Sequence, residues 1–158
     1  MVCEALDRRG VRLGPPVAVL PGLVVSDRMV ATMDGLVDYS LARRAVLRDL
    51  RGGRSSRSDV CDAHPELIRA ARNCGEATGT SCPVCGQGEL VLVSYAFSDD
   101  FKRDNGRVWA RDDVAPLLKL REARLFTVEV CVRCSWNYLR TQVSFSRSGP
   151  RRGKEASP

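Results

Sequence analysis

Two short runs, "SCPVCGQG" and "VCVRCSW", dominate what this chain can become. Each holds a Cys-x-x-Cys pair, and 45 residues separate Cys85 from Cys131. A Cys-x-x-Cys turn lets two sulfurs reach one ion, and two such knuckles complete a tetrahedral thiolate shell. Pro83 helps set the first turn, and Gly86 tolerates the positive φ that follows it. Cys82, Cys85, Cys131 and Cys134 are therefore the expected ligands of one structural zinc. A closed four-thiolate shell leaves no open position for water or substrate, so catalysis at the metal is not expected.

Other uses of the same cysteines are weighed against this one. A thioredoxin-like site opens a helix, where the dipole lowers a thiol pKa; here Gly86, Gln87 and Gly88 lead into a strand. Rubredoxin-type iron uses the same ligands, but Ser135 follows the second knuckle where glycine would be expected, and the spacer is long. Two disulfides would suit an oxidising compartment. No secretory signal is convincing: the early "LGPPVAVLPGLVV" is short and broken by Pro15, Pro16 and Pro21. No run reaches the roughly 18 apolar residues that span a bilayer. A cytoplasmic protein without a membrane partner is the expectation.

Periodicity supplies the frame. Residues 1–32 have no clear pattern and read as a disordered extension, or as a start set too early, with Met29 or Met33 as the true first residue. "MDGLVDYSLARRAVLRDLRGGR" reads as a helix of about four turns, capped by Asp34 and stopped at Gly52-Gly53. Leu36, Tyr39, Val46, Leu47 and Leu50 share its apolar arc. "GGRSSRSD" reads as a flexible link. "CDAHPELIRAARNCGE" reads as a short helix with Pro65 in its first turn and Gly75 as its C-terminal cap. Residues 33–80 thus form a helical segment.

From Glu89 the period becomes two, giving a strand to Phe97. Leu125–Val130 and Trp136–Phe145 give two more. The segment 98–124 reads as an insertion, with a polar loop and a short helix near Pro116, and its acids (Asp99, Asp100, Asp104, Asp112, Asp113) fit loop and cap positions. Residues 81–146 form a zinc-ribbon-like domain, and 147–158 a basic disordered tail. The expected fold is α+β: two N-terminal helices packed on a small antiparallel, three-stranded zinc-ribbon sheet.

Net charge is +6, and arginine greatly outnumbers lysine. That leans toward a polyanionic partner. Trp136, Tyr138 and Arg140 share one strand face, the arrangement with which a sheet stacks bases and neutralises phosphate. Arg133, Arg147, Arg151, Arg152 and Lys154 would extend the track, and Arg43 and Arg44 offer a basic helix face. The plainer reading puts Trp136 and Tyr138 in the core beneath the insertion, and the helix arginines in solvent. Cys61, His64 and Cys74 make a possible partial metal site or a Cys–His pair; the plainer reading makes the two cysteines buried small hydrophobes.

Taken in order, "LVDYSLARRAVLRDL", "DVCDAHPELIRAARNCGE", "CPVCG" and "VEVCVRCSWNYL" resemble an actinobacterial family, domain of unknown function 5318, from Val30 to Phe145. The resemblance implies a small cytoplasmic, zinc-binding bacterial protein and brings no activity with it. Three functions remain open. One is a non-catalytic zinc module on nucleic acid, RNA polymerase or the ribosome. Another is a protein–protein adaptor with a structural zinc. The third is a thiol redox protein. No small-molecule substrate is expected.

Overall fold

A computed structural model describes residues 31–111 and 113–147. Residues 1–30 of the expected extension and residues 148–158 of the expected tail lie outside the described residues, as do Arg151, Arg152 and Lys154. The elements run β1 (Ala31–Asp38), α1 (Ser40–Arg51), α2 (Arg57–Val60), α3 (Pro65–Cys74), β2 (Glu76–Ser81), β3 (Glu89–Phe97), β4 (Arg107–Trp109), β5 (Glu122–Cys131) and β6 (Asn137–Arg147). The sheet has six antiparallel strands in the order β1-β6-β5-β3-β2, and β4 also pairs with β3. The protein is mixed α/β, and its sheet is twice the size expected.

Three corrections follow. The expected helix from residue 33 begins only at Ser40, because Ala31–Asp38 pairs along β6, from Ala31↔Arg147 to Asp38↔Thr141. A pairing partner more than a hundred residues away overrides the local pattern. The exposed Asp38 carboxylate then accepts a hydrogen bond from Ser40 N–H at 2.7 Å and opens α1. The "flexible link" contains α2, closed by a reciprocal capping box between Ser56 and Asp59. The short helix expected near Pro116 shrinks to a single 3₁₀ turn, Leu117–Lys119.

Gly75 does not adopt the left-handed cap conformation; its φ is −80°. A side chain there would collide with Val91, its Cβ 2.0 Å from Cγ1, so the glycine lets the chain pass from α3 into β2 against β3.

Alternation along β3 and β5 separates two faces. On one, Leu90 and Ala96 are buried, with Cys131 and Leu125 opposite them on β5. At one end of this face, Leu47 of α1 and Val60 of α2 join Leu90, Cys82, Cys131 and Trp136 in a buried cluster. At the other end, Leu117 of the insertion joins Ala96, Ala123, Leu125 and Phe145. On the opposite face, Ala70 and Ala71 of α3 join Val93 and Val130. Each fully buried side chain of this size contributes roughly 1.5–3 kcal/mol, less for alanine. Among the described residues no helix is long and apolar enough to cross a membrane.

Candidate metal centre

The two knuckles fold alike. In the first, Gly86 N–H donates to Cys82 C=O at 2.9 Å; in the second, Ser135 N–H donates to Cys131 C=O at 2.9 Å. The residue after each second cysteine turns left-handed, Gly86 at φ +68° and Ser135 at φ +63°. Serine carries strain there that glycine does not. Each knuckle is also tied to a strand start. Cys82 N–H donates to Gly88 C=O at 2.7 Å, and Cys131 N–H donates to Trp136 C=O at 2.8 Å.

This pairing brings Cys82, Cys85, Cys131 and Cys134 together, with all four sulfurs within 4.8 Å of one another. Sγ–Sγ separations are 3.6 Å for Cys82–Cys134 and 3.8 Å for Cys85–Cys131. A tetrahedral ion ~2.3 Å from each thiolate sets such separations at about 3.8 Å. A disulfide needs about 2.05 Å, and all four thiols are free, which removes the two-disulfide alternative. Burial raises the thiol pKa of Cys82 and of Cys131, so a cation is needed to hold both as thiolates. Backbone N–H groups of Gln87 and Gly88 pull Cys85 the other way, down to about 6. Gly88 leaves the space the sulfurs fill: a Cβ there would lie 2.6 Å from Cys131 Sγ and 3.7 Å from Cys85 Sγ.

The remaining sulfur and imidazole candidates do not form a second centre. Among the described residues, the four knuckle cysteines are the one group of three or more such side chains close enough to share an ion. Cys61 is half-buried and packs beside the knuckle cluster that includes Cys85 and Cys134. His64 caps α3, its Nδ1 accepting from Glu66 N–H at 3.2 Å. Cys74 closes α3 and is disulfide-bonded, so its sulfur is engaged elsewhere.

The proposed stacking row loses its first member to the core, while Tyr138 and Arg140 stay partly exposed. Trp136 is 0% exposed, and its ring lies parallel to Tyr138, 10° between planes and 5.9 Å between centroids. No base can reach Trp136 there. The cover is Leu47 of α1, with Val46 and Leu50 packed alongside, rather than the insertion. Arg140 and Arg43 also turn inward, both onto Glu129, a glutamate with no exposed surface. Glu129 Oε1 accepts from Arg43 Nε and from Trp136 Nε1 at 2.9 Å; Oε2 accepts from Arg140 Nη1 at 2.8 Å. Arg44 and Arg133 remain exposed.

Two residues of this region were not singled out in the sequence. Glu129 sits between Thr127 and Cys131 at period two, so its inward direction was readable once β5 was assigned. Arg57 lay in the supposed link. It lies against the sulfurs of Cys61 and Cys134, which hold its guanidinium pKa above the ordinary value.

Fold and site together define a small mixed α/β protein whose sheet end carries four cysteines positioned to hold one metal ion. The family of unknown function DUF5318 matches residues 30–157, and the chain belongs to that family. The match runs twelve residues past Phe145, so it takes in the basic tail as well. Among similar proteins are uncharacterized protein Rv0049 of Mycobacterium tuberculosis and uncharacterized protein Mb0050 of Mycobacterium bovis. Each is 38% identical over 104 residues, covering 65% of this chain and 76% of the relative. No solved structure matches the chain.

Proposed function

We propose that the chain is a non-catalytic binding module whose four cysteines hold one structural zinc, and that it attaches to nucleic acid or to an assembly that handles it. The observation that carries the metal reading is the four-sulfur cluster, with separations that suit tetrahedral zinc. All four positions are filled by protein, so the ion staples the start of β3, the end of β5 and the start of β6. It joins segments that are far apart in sequence and offers nothing for a substrate to bind.

The partner reading rests on charge: +6 overall, with Arg44 and Arg133 exposed. With Trp136 buried, contact would run through phosphates and not through stacked bases, so binding would be weakly sequence-selective and salt-sensitive. A second reading, a protein adaptor, is favoured by a specific patch. Leu36, Val37 and Leu41 are 57%, 46% and 75% exposed where β1 runs into α1, apolar surface that a protein partner would cover.

The test combines elemental analysis of purified protein with oligonucleotide binding at two salt concentrations. One zinc per chain and a log–log salt slope of about −2, as for two phosphate contacts, is the expected result. Absence of a metal would remove the staple. Absence of binding at low salt, together with a co-purifying protein lost on Leu41→Asp, would select the adaptor.

A further inference from the structure

A second feature lies on the same face of the sheet, between the knuckle cluster and the insertion cluster. It is a cavity of about 370 Å³ lined by Arg43 of α1, Arg111 after β4, Arg140 of β6 and Glu129 of β5. Threonines of β2, β5 and β6 and two leucines of β3 complete the wall. Three guanidinium groups face one carboxylate. Glu129 already spends both oxygens on Arg43, Trp136 and Arg140. Among the residues that line the cavity, cations outnumber carboxylates three to one; the nearest further acids are Asp38, which acts on Arg140, and Glu76, which accepts from Arg111 N–H at 3.4 Å.

Arg140 gives the excess a direction. Its Nη1 is bound to Glu129, and its Nε is buried with no hydrogen-bond partner. A buried N–H without an acceptor costs about 1–3 kcal/mol. An oxyanion bound along that edge of the guanidinium would satisfy it with a charge-assisted bond. Glu129 fixes Arg43 and Arg140 from below, so both cations are held in place before any ligand arrives, which lowers the cost of binding. Arg111 comes from the loop after β4, on the far side of the cavity wall.

We propose that this cavity binds the phosphate group of a small phosphate monoester. A phosphate offers an acceptor to the unpartnered Arg140 Nε and further oxygens to Arg43 and Arg111, and the volume lies at the small end of ligand pockets. Hydroxyl-bearing walls suit the remaining phosphate oxygens. The proposal does not depend on the nucleic-acid reading above, which uses Arg44 and Arg133, and it extends the protein's expected partners to small molecules. The sequence hid this site because its cations arrive from three separated segments.

The experiment is isothermal titration of the full chain, loaded with its metal, with inorganic phosphate and with adenosine monophosphate in 150 mM chloride. Saturable one-to-one binding by either compound, weakened about tenfold or more by Arg111→Gln and by Arg140→Lys, is the expected result. Arg111 is exposed and outside the Glu129 network, so its variant keeps the fold and the test stays decisive if Arg140→Lys unfolds. Three outcomes overturn the proposal: no saturable binding of either compound, binding unchanged in Arg111→Gln, or binding seen only with a 5′-phosphorylated oligonucleotide.

Discussion

A Cβ on Gly88 would come within 2.6 Å of the sulfur of Cys131, although the two residues belong to different knuckles. Gly88→Ala must push that sulfur, or the chain beneath it, out of place. Metal affinity should fall by roughly 10–100-fold, the range for changes that misorient ligands. Competition against a chromophoric chelator reads the change directly. Equal affinities for the variant and the parent would mean that the sulfurs do not sit as described.

Removing one sulfur from each knuckle tests whether the ion stabilises the fold. The double variant Cys82→Ser, Cys131→Ser should lose its metal and melt well below the parent, because metal binding in such sites is folding free energy. Cys61→Ser should keep one ion per chain, since Cys61 lies beside the cluster and outside it. An unchanged melting temperature in the double variant would show that the metal is dispensable to the fold.

Glu129→Gln should be among the most costly single changes in the chain. It leaves the largely buried Arg43 and the partly exposed Arg140 facing a neutral amide; a fully buried pair broken in this way costs about 3–5 kcal/mol, and solvent at Arg140 reduces that. Urea denaturation with the parent as reference measures it. A loss under about 1 kcal/mol would mean that water reaches the network freely.

Ser135→Gly should be neutral or stabilising, by at most about 1.5 kcal/mol. Glycine relieves the left-handed strain of about 1–2 kcal/mol, offset by its own loss of about 0.5–1 kcal/mol of chain entropy on folding. Equilibrium unfolding of the metal-loaded protein decides the sign.

The capping box predicts a pH dependence. Hydrogen bonds from the Ser56 backbone N–H, then from its side chain, hold the Asp59 carboxyl below the ordinary 3.8. A lowered folded-state pKa contributes stability that is present above the unfolded value and is lost as pH falls through the folded one. Carboxyl-carbon NMR should give Asp59 a midpoint below 3.8, shifted up in Ser56→Ala. A midpoint at or above 3.8 in the parent would show the box open in solution.

The four-cysteine cluster was legible because its information is local. Spacing within each knuckle and a strand beside it are both visible in a few residues, and β3 was read to its ends, Glu89–Phe97. α3 was read nearly as well, through Pro65 in its first turn. Misreadings arose where a distant partner decides. Leu36 and Val37 look helical until β6 offers them a ladder. Trp136, Tyr138 and Arg140 have the composition of a nucleic-acid platform, and only the position of α1 takes Trp136 into the core. Glu129 shows the same limit: alternation gives its direction, but its three donors come from α1, the second knuckle and β6.

Ala31 pairs with Arg147, so β1 and β6 bring the chain in and out at one corner of the sheet. The knuckles sit at the other end of β6, about 33 Å away at ~3.3 Å per residue. Tension applied through both flanks would therefore act as on a zipper. The ladder between β1 and β6 would open one bond at a time, each contributing only about 0.5–1.5 kcal/mol. The thiolate staple would bear no load until that ladder had gone. The domain would yield early at its edge and keep a mechanically resistant remnant, held by the zinc proposed for the four cysteines, at its far end.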